Sequence, residues 1–272
     1  MTGTRRMVAA LSAALCLIAL ASSAALAAYP NSMAATGDSI TRAFNTCSFP
    51  FIDCPQNSWA TGTEATVNSF YLRIRAVNRA IEGRAFNDAR SGARMADLSG
   101  QIANVVRQRV EYVTIAMGAN DVCTGSEESM TSVASFESSL RSALNTLTRE
   151  LPSVKISLGS VPNVYWLWSL LHTNRSAVST WNNFGICQSL LRNPTSTSRE
   201  DEERRLRVQR RNVEFNTVLR EVCATYATCE YDADTGYNYR FEAGEVSTRD
   251  YFHPSVRGQA TIARIEFPLV RF

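Results

Sequence analysis

Met33-Ala34-Ala35-Thr36-Gly37-Asp38-Ser39-Ile40-Thr41 is the stretch that decides the fold. A short apolar run stops at Gly37, and a polar turn follows it, the pattern of a buried strand that ends where its side chains meet solvent. Four more runs share this form. Arg84 to Asn87 is a weaker one, Tyr112 to Met117 is β-branched and bounded by Gly118, Lys155 to Val161 ends at Pro162, and Cys229 to Tyr231 is a short fifth. Helical patterns lie between them: Asn68 to Val77, Met95 to Arg109, Ser135 to Leu151, Glu200 to Tyr226, and a last helix beginning near Ser255. The third repeats apolar residues at Phe136, Leu140, Leu144, Leu147 and Leu151, one face of a helix. Strand and helix in alternation predict an α/β domain whose parallel sheet is covered on both faces. No repeat, low-complexity tract or linker interrupts the chain, so residues 28–272 are expected to form a single domain.

Two segments fit this scheme less directly. Val164 to Ser198 sets Tyr165, Trp166, Trp168 and Trp181 among Asn, Ser and Thr, and is too long for an ordinary connection. It is expected to be a partly helical cap or a binding loop, its aromatics lining an apolar acyl groove or stacking on sugar rings. Glu200 to Arg211 is densely charged, and its Glu200–Arg204, Asp201–Arg205 and Glu203–Arg207 spacings predict ion pairs on a solvated helix face.

With 45% hydrophobic residues in 272, the chain can fill a core, and its formal net charge of +3 is too small for a nucleic-acid binder. Arg5 and Arg6 precede an almost wholly apolar stretch from Val8 to Ala27 that closes with Ala25-Leu26-Ala27, the layout of a cleaved export signal over residues 1–27. A retained membrane anchor is the competing reading, since the stretch is long enough to span a bilayer. Its many alanines and the cleavage pattern favour a secreted protein without a stable anchor, and the paired arginines leave the export route open.

Beyond Cys16 the chain has six cysteines: Cys47, Cys54, Cys123, Cys187, Cys223 and Cys229. An even number in an oxidising compartment predicts disulfides. Closeness in sequence suggests Cys47–Cys54 and Cys223–Cys229, which leaves Cys123–Cys187. A zinc site would want C-x-x-C pairs or clustered histidines, and the only histidines are His172 and His253, so no metal is expected.

In open parallel sheets, ligands bind beyond the carboxyl ends of the strands. Four polar clusters belong there: Gly37-Asp38-Ser39-Ile40-Thr41, Asn87 to Gly92, Gly118-Ala119-Asn120-Asp121, and Asp250-Tyr251-Phe252-His253 before the last helix. Any one alone is most simply a capped turn. Taken in this order, they resemble the SGNH hydrolases, also called the GDSL esterases and lipases. The first block has Ile40 where the family usually has Leu. The second centres on Gly92, the third has Gly118, Asn120 and Asp121, and the last has Asp250 and His253. The resemblance extends from Met33 to about Ala263. It implies a flavodoxin-like three-layer sandwich with a five-stranded parallel sheet, and the six cysteines and Val161-Pro162-Asn163-Val164-Tyr165 are similar to the secreted actinobacterial branch.

The chemistry follows from the residue types as well. A serine hydroxyl needs a base to become a nucleophile. His253 carries a carboxylate three residues before it, so Asp250 can hold Nδ1–H and leave Nε2 facing Ser39. His172, among aromatics, is expected to be an ordinary structural imidazole. The backbone N–H groups of Ser39 and Gly92 and the Asn120 amide are the candidate oxyanion donors, positions the family also uses. Asp38 and Asp121 are expected to hold loops. The expected activity is hydrolysis of small-molecule or lipid carboxylic esters through an acyl-enzyme on Ser39, without a cofactor, by a monomer. Deacetylation of glycans by the same mechanism, and a secreted binding module without turnover, are the alternatives.

Overall fold

The computed structural model describes residues 29–272, so the expected export signal lies outside the described residues. Strands β1 (Met33–Gly37), β2 (Ala85–Asn87), β3 (Tyr112–Ala116), β4 (Lys155–Leu158) and β5 (Cys229–Tyr231) form one sheet in the order β2-β1-β3-β4-β5, parallel throughout. The helices are α1 (Phe70–Val77), α2 (Leu98–Gln108), α3 (Ala119–Val122), α4 (Val133–Glu150), α5 (Val164–Leu171), α6 (Arg175–Phe184), α7 (Gln188–Leu191), α8 (Arg199–Cys223), α9 (Thr235–Asn238) and α10 (Val256–Glu266). This is a three-layer α/β sandwich with the flavodoxin-like strand order.

Side chains alternate across the sheet as the pleat requires. Ala34, Val113, Ile115, Ile156 and Leu158 face the layer of α2, α4 and α8, where Phe136 and Phe215 stack at 4.0 Å. Met33, Ala35 and Tyr112 face the other way, against Phe70 and Ile74 of α1 and Ala263 of α10. Strand β4 stops at Leu158, short of the expected Val161, because after a last ladder bond from Gly159 N–H to the Ile115 carbonyl the backbone donors turn to side chains. Ser160 N–H goes to Asp232 Oδ2 at 2.9 Å and Val161 N–H to Asn216 Oδ1 at 2.8 Å.

Val164 to Ser198 forms a helical cap of α5, α6 and α7, in which α5 and α7 pack against each other and against α8, and α6 contributes Trp181 to the core. Its aromatics serve this packing rather than an open groove. Trp181 is fully buried and donates Nε1–H to the Tyr251 carbonyl at 3.0 Å. Trp166 donates to the Phe241 carbonyl at 2.9 Å and Trp168 to that of Pro194 at 2.8 Å, and Tyr165 leans on Trp168 with ring centroids 5.1 Å apart. The same cap corrects the charged run. Arg204 and Arg205 are buried, not solvated. Arg204 pairs with Asp201 rather than Glu200 and also donates to the Ser189 carbonyl at 3.1 Å. Arg205 lies over the Trp168 ring at 4.4 Å. Arg207 reaches Glu127 instead of Glu203.

Three disulfides join Cys47 to Cys54, Cys123 to Cys187 and Cys223 to Cys229. The second ties the end of α3 to the start of α7. Among the described residues no helix is long and apolar enough to cross a membrane.

Candidate active site

The chain leaves β1 toward β2 and leaves β3 toward β4, so a crevice opens at the carboxyl ends of β1 and β3, where the strand order reverses. Ser39 stands on one side of it and Asn120 on the other. Gly37 makes the turn into Ser39 with φ +149°, and a Cβ there would lie 2.4 Å from the Ala116 carbonyl oxygen. Gln101 of α2 grips this glycine from both sides, accepting from its N–H at 2.7 Å and donating to its carbonyl at 2.8 Å. Asp38 is buried, which pushes its carboxyl up to about 6, and its Oδ1 accepts the Ile40 N–H at 2.9 Å.

The loop before α10 brings its histidine to the same place. His253 Nε2 lies 2.7 Å from Ser39 Oγ, and Nδ1 lies 2.7 Å from Asp250 Oδ2. A carboxylate on Nδ1 keeps the proton there and leaves Nε2 to accept from the serine hydroxyl. Asp250 Oδ1 meanwhile accepts the backbone N–H groups of Phe252 at 2.9 Å and His253 at 3.0 Å, so the loop winds around its own carboxylate. Burial alone would raise the Asp250 pKa, but the hydrogen bonds from His253 and the backbone outweigh it and hold the carboxyl below its ordinary value. Phe44 packs against the imidazole with ring centroids 4.9 Å apart.

Asn120 donates Nδ2–H to the Ala93 carbonyl at 3.0 Å, which joins the loops after β2 and β3 and leaves its second amide hydrogen available. Gly92, beside Ala93, has φ +79° and open space around its α-carbon. Among the described residues neither the Gly92 nor the Ser39 backbone N–H is engaged. Asp121 takes the Met95 N–H at 2.9 Å and so holds its loop. His172 sits at the end of α5, stacked on Trp168 at 4.6 Å, in the cap.

Three supporting residues have roles that sequence reasoning missed. Gln101 holds Gly37, Trp181 holds the Tyr251 carbonyl between Asp250 and His253, and Asn45 donates its amide to Asp250 Oδ2. Each is a polar group on a local pattern that has other uses, with its partner far away in sequence.

A cavity of about 170 Å³ is lined by Ser39 together with the apolar side chains of Ile40, Val164, Leu167, Phe241 and Phe252 and by residues of α10. Asp232 and Glu266 also line it, and burial and the neighbouring Asp232 carboxyl push Glu266 up to about 8. A shallower cleft lies on the other side of Phe252, lined by Phe44, Phe51, Phe184 and Ile186 next to His253 and Asn120. Among the described residues no three His, Cys, Asp or Glu side chains gather where they could hold a metal ion.

The family model of the GDSL-like lipases and acylhydrolases matches residues 33–265, which includes all four clusters. The chain belongs to this family. Human acyloxyacyl hydrolase is 33% identical to it over 134 residues, a match that spans 44% of this chain and 23% of the human protein. Two solved structures share the fold. The acetyl xylan esterase AlAXEase has a TM-score of 0.54 at 15% identity, covering 88% of this chain and 100% of that one. The extracellular lipase from Streptomyces rimosus has a TM-score of 0.50 at 16% identity, covering 88% of this chain and 99% of that one.

Proposed function

We propose that this GDSL acylhydrolase is exported and cleaves acyl esters of lipid type, with Ser39 as nucleophile, His253 as general base and Asp250 as the partner of His253. The observation that carries this reading is the line of contacts from Asp250 Oδ2 through Nδ1 and Nε2 of His253 to Ser39 Oγ, 2.7 Å at each step. The serine proton passes to Nε2 as Oγ bonds to the ester carbonyl carbon. The carbonyl oxygen becomes an oxyanion within reach of the Ser39 and Gly92 N–H groups and the free Asn120 amide hydrogen. Collapse of this intermediate expels the alcohol, which takes the proton from Nε2, and the acyl group stays on Ser39. A water activated by the same imidazole then repeats the sequence and releases the acid. Asp250, held below its ordinary pKa, remains ionised and stabilises the imidazolium that forms at each stage.

The apolar side chains lining the cavity beside Ser39 favour a hydrocarbon acyl chain over an acetyl group. The amino-terminal leader and the three disulfides favour export. A series of p-nitrophenyl esters from acetate to palmitate, run beside phospholipid and acetylated xylan, tests the substrate. We expect kcat/KM to rise from acetate into the longer chains. A profile that peaks at acetate, with acetate released from xylan, would replace lipid esters by glycan esters.

A further inference from the structure

Phe49-Pro50-Phe51-Ile52 stands in solvent without a charged residue among the four. Phe49 is 73% exposed, Phe51 51% and Ile52 42%. These residues add nothing to the core, and such a contiguous apolar run on a surface marks a contact with something apolar. The run is also braced. The Cys47–Cys54 disulfide closes the loop, Asn45 N–H donates to the Ile52 carbonyl at 3.0 Å, and Phe51 N–H donates to Asn45 Oδ1 at 2.6 Å. A loop held this way has little ordering entropy left to lose on docking.

The patch continues into the catalytic crevice. Phe184, 61% exposed at the end of α6, packs against Phe51 with ring centroids 5.5 Å apart, and both residues line the shallow cleft that holds Asn120 and His253. At the base of the loop, Arg249 donates to the carbonyls of Cys47 at 2.6 Å and Ser48 at 2.8 Å. Its hydrogen bonds go to these uncharged carbonyls, so its positive charge stands beside the apolar patch. Hydrocarbon-seeking side chains with a cation at their base match acyl chains lying beneath phosphate groups. A sugar polymer would want hydrogen-bonding side chains among the aromatics, and Pro50 and Ile52 supply none.

We propose that the Cys47–Cys54 loop and Phe184 form a docking site for a phospholipid surface, which seats the mouth of the crevice on aggregated lipid. The proposal rests on the ester-hydrolase reading only in making the docked lipid a substrate. Vesicle binding is therefore measured on Ser39→Ala protein, so that a failure of docking and a failure of hydrolysis are separate results. The full chain is sedimented with phosphatidylcholine vesicles, with and without phosphatidylglycerol. Two large side chains are at stake, so Phe49→Ser/Ile52→Ser in that background should weaken binding on the order of 10- to 100-fold. Arg249→Gln should weaken it mainly on the anionic vesicles. With Ser39 intact, Phe49→Ser/Ile52→Ser should keep its turnover of monomeric p-nitrophenyl butyrate and lose turnover of emulsified ester. Equal vesicle binding with and without the two apolar side chains would overturn the proposal. So would a dimer that falls apart in Phe49→Ser/Ile52→Ser without any vesicle binding, which would assign the patch to a second copy of the chain.

Discussion

Asn45 donates its side-chain amide to Asp250 Oδ2, the same oxygen that faces Nδ1 of His253 at 2.7 Å. The residue is buried and left-handed, with φ +64°, and its other amide atom is taken by the Phe51 N–H. Asp250 is thus fixed from the side opposite its own loop, by the segment that carries the exposed apolar run.

Asn45→Gly keeps the left-handed turn and removes the amide. A hydrogen bond to a charged group is worth about 1.5–3 kcal/mol, so kcat should fall about 10- to 100-fold while KM stays near its original value. Steady-state kinetics on a soluble ester checks this, and a change confined to KM would show that Asn45 only shapes the cleft.

The legibility of this arrangement in the sequence was uneven. Gly37, Gly118 and Pro162 each stop an apolar run, and Ser39 and Asn120 stand just past two of those stops, so strand ends and candidate residues could be found together. Asp250 and His253 lie three residues apart and form a local signal of their own. Asn45 has no such signal, because its partner is 205 positions away. Trp181 misleads in the opposite direction. An aromatic residue in a polar stretch suggests an open surface, yet here it satisfies a carbonyl of the loop that carries Asp250 and His253. For Arg204 and Arg205, ion pairs at helical spacing can be written on several faces, and only the packing of the cap decides which face is buried.

Asn120→Ala should lower kcat on the order of 10²–10³, since a donor aimed at developing charge matters most in the transition state. Asn120→Asp should be at least as damaging, because an ionised carboxylate offers no donor and would meet the Ala93 carbonyl with a lone pair. Near-native kinetics for Asn120→Asp would take this side chain out of the oxyanion site.

Cys123→Ser/Cys187→Ser should cost about 2–4 kcal/mol in a denaturant titration. It should also lower kcat, because Asn120 lies on α3, whose end this bridge ties to α7. Stability lost at unchanged kcat would contradict that coupling.

Glu266 makes stability depend on pH. Its folded pKa of about 8 lies above the ordinary 4.5, so over that interval the folded chain keeps a proton that the unfolded chain releases. Its contribution to stability therefore declines as pH rises through the interval and levels off above it. Glu266→Gln removes this penalty. The variant should gain stability over the wild type at pH 8 and little at pH 5. Thermal melts of both proteins across pH check this, and a difference that does not change with pH would contradict it.

The acyl-enzyme is the central claim, and trapping it is the most direct test. The protein is reacted with p-nitrophenyl diethyl phosphate, whose phosphorus takes the place of the carbonyl carbon and whose product does not turn over readily, and the labelled peptide is mapped by mass spectrometry. The account predicts one diethylphosphoryl group on Ser39, released p-nitrophenol in equal amount, complete loss of ester hydrolysis, and no label on Ser39→Ala protein. A label on another residue, or full hydrolytic activity in Ser39→Ala, would contradict it.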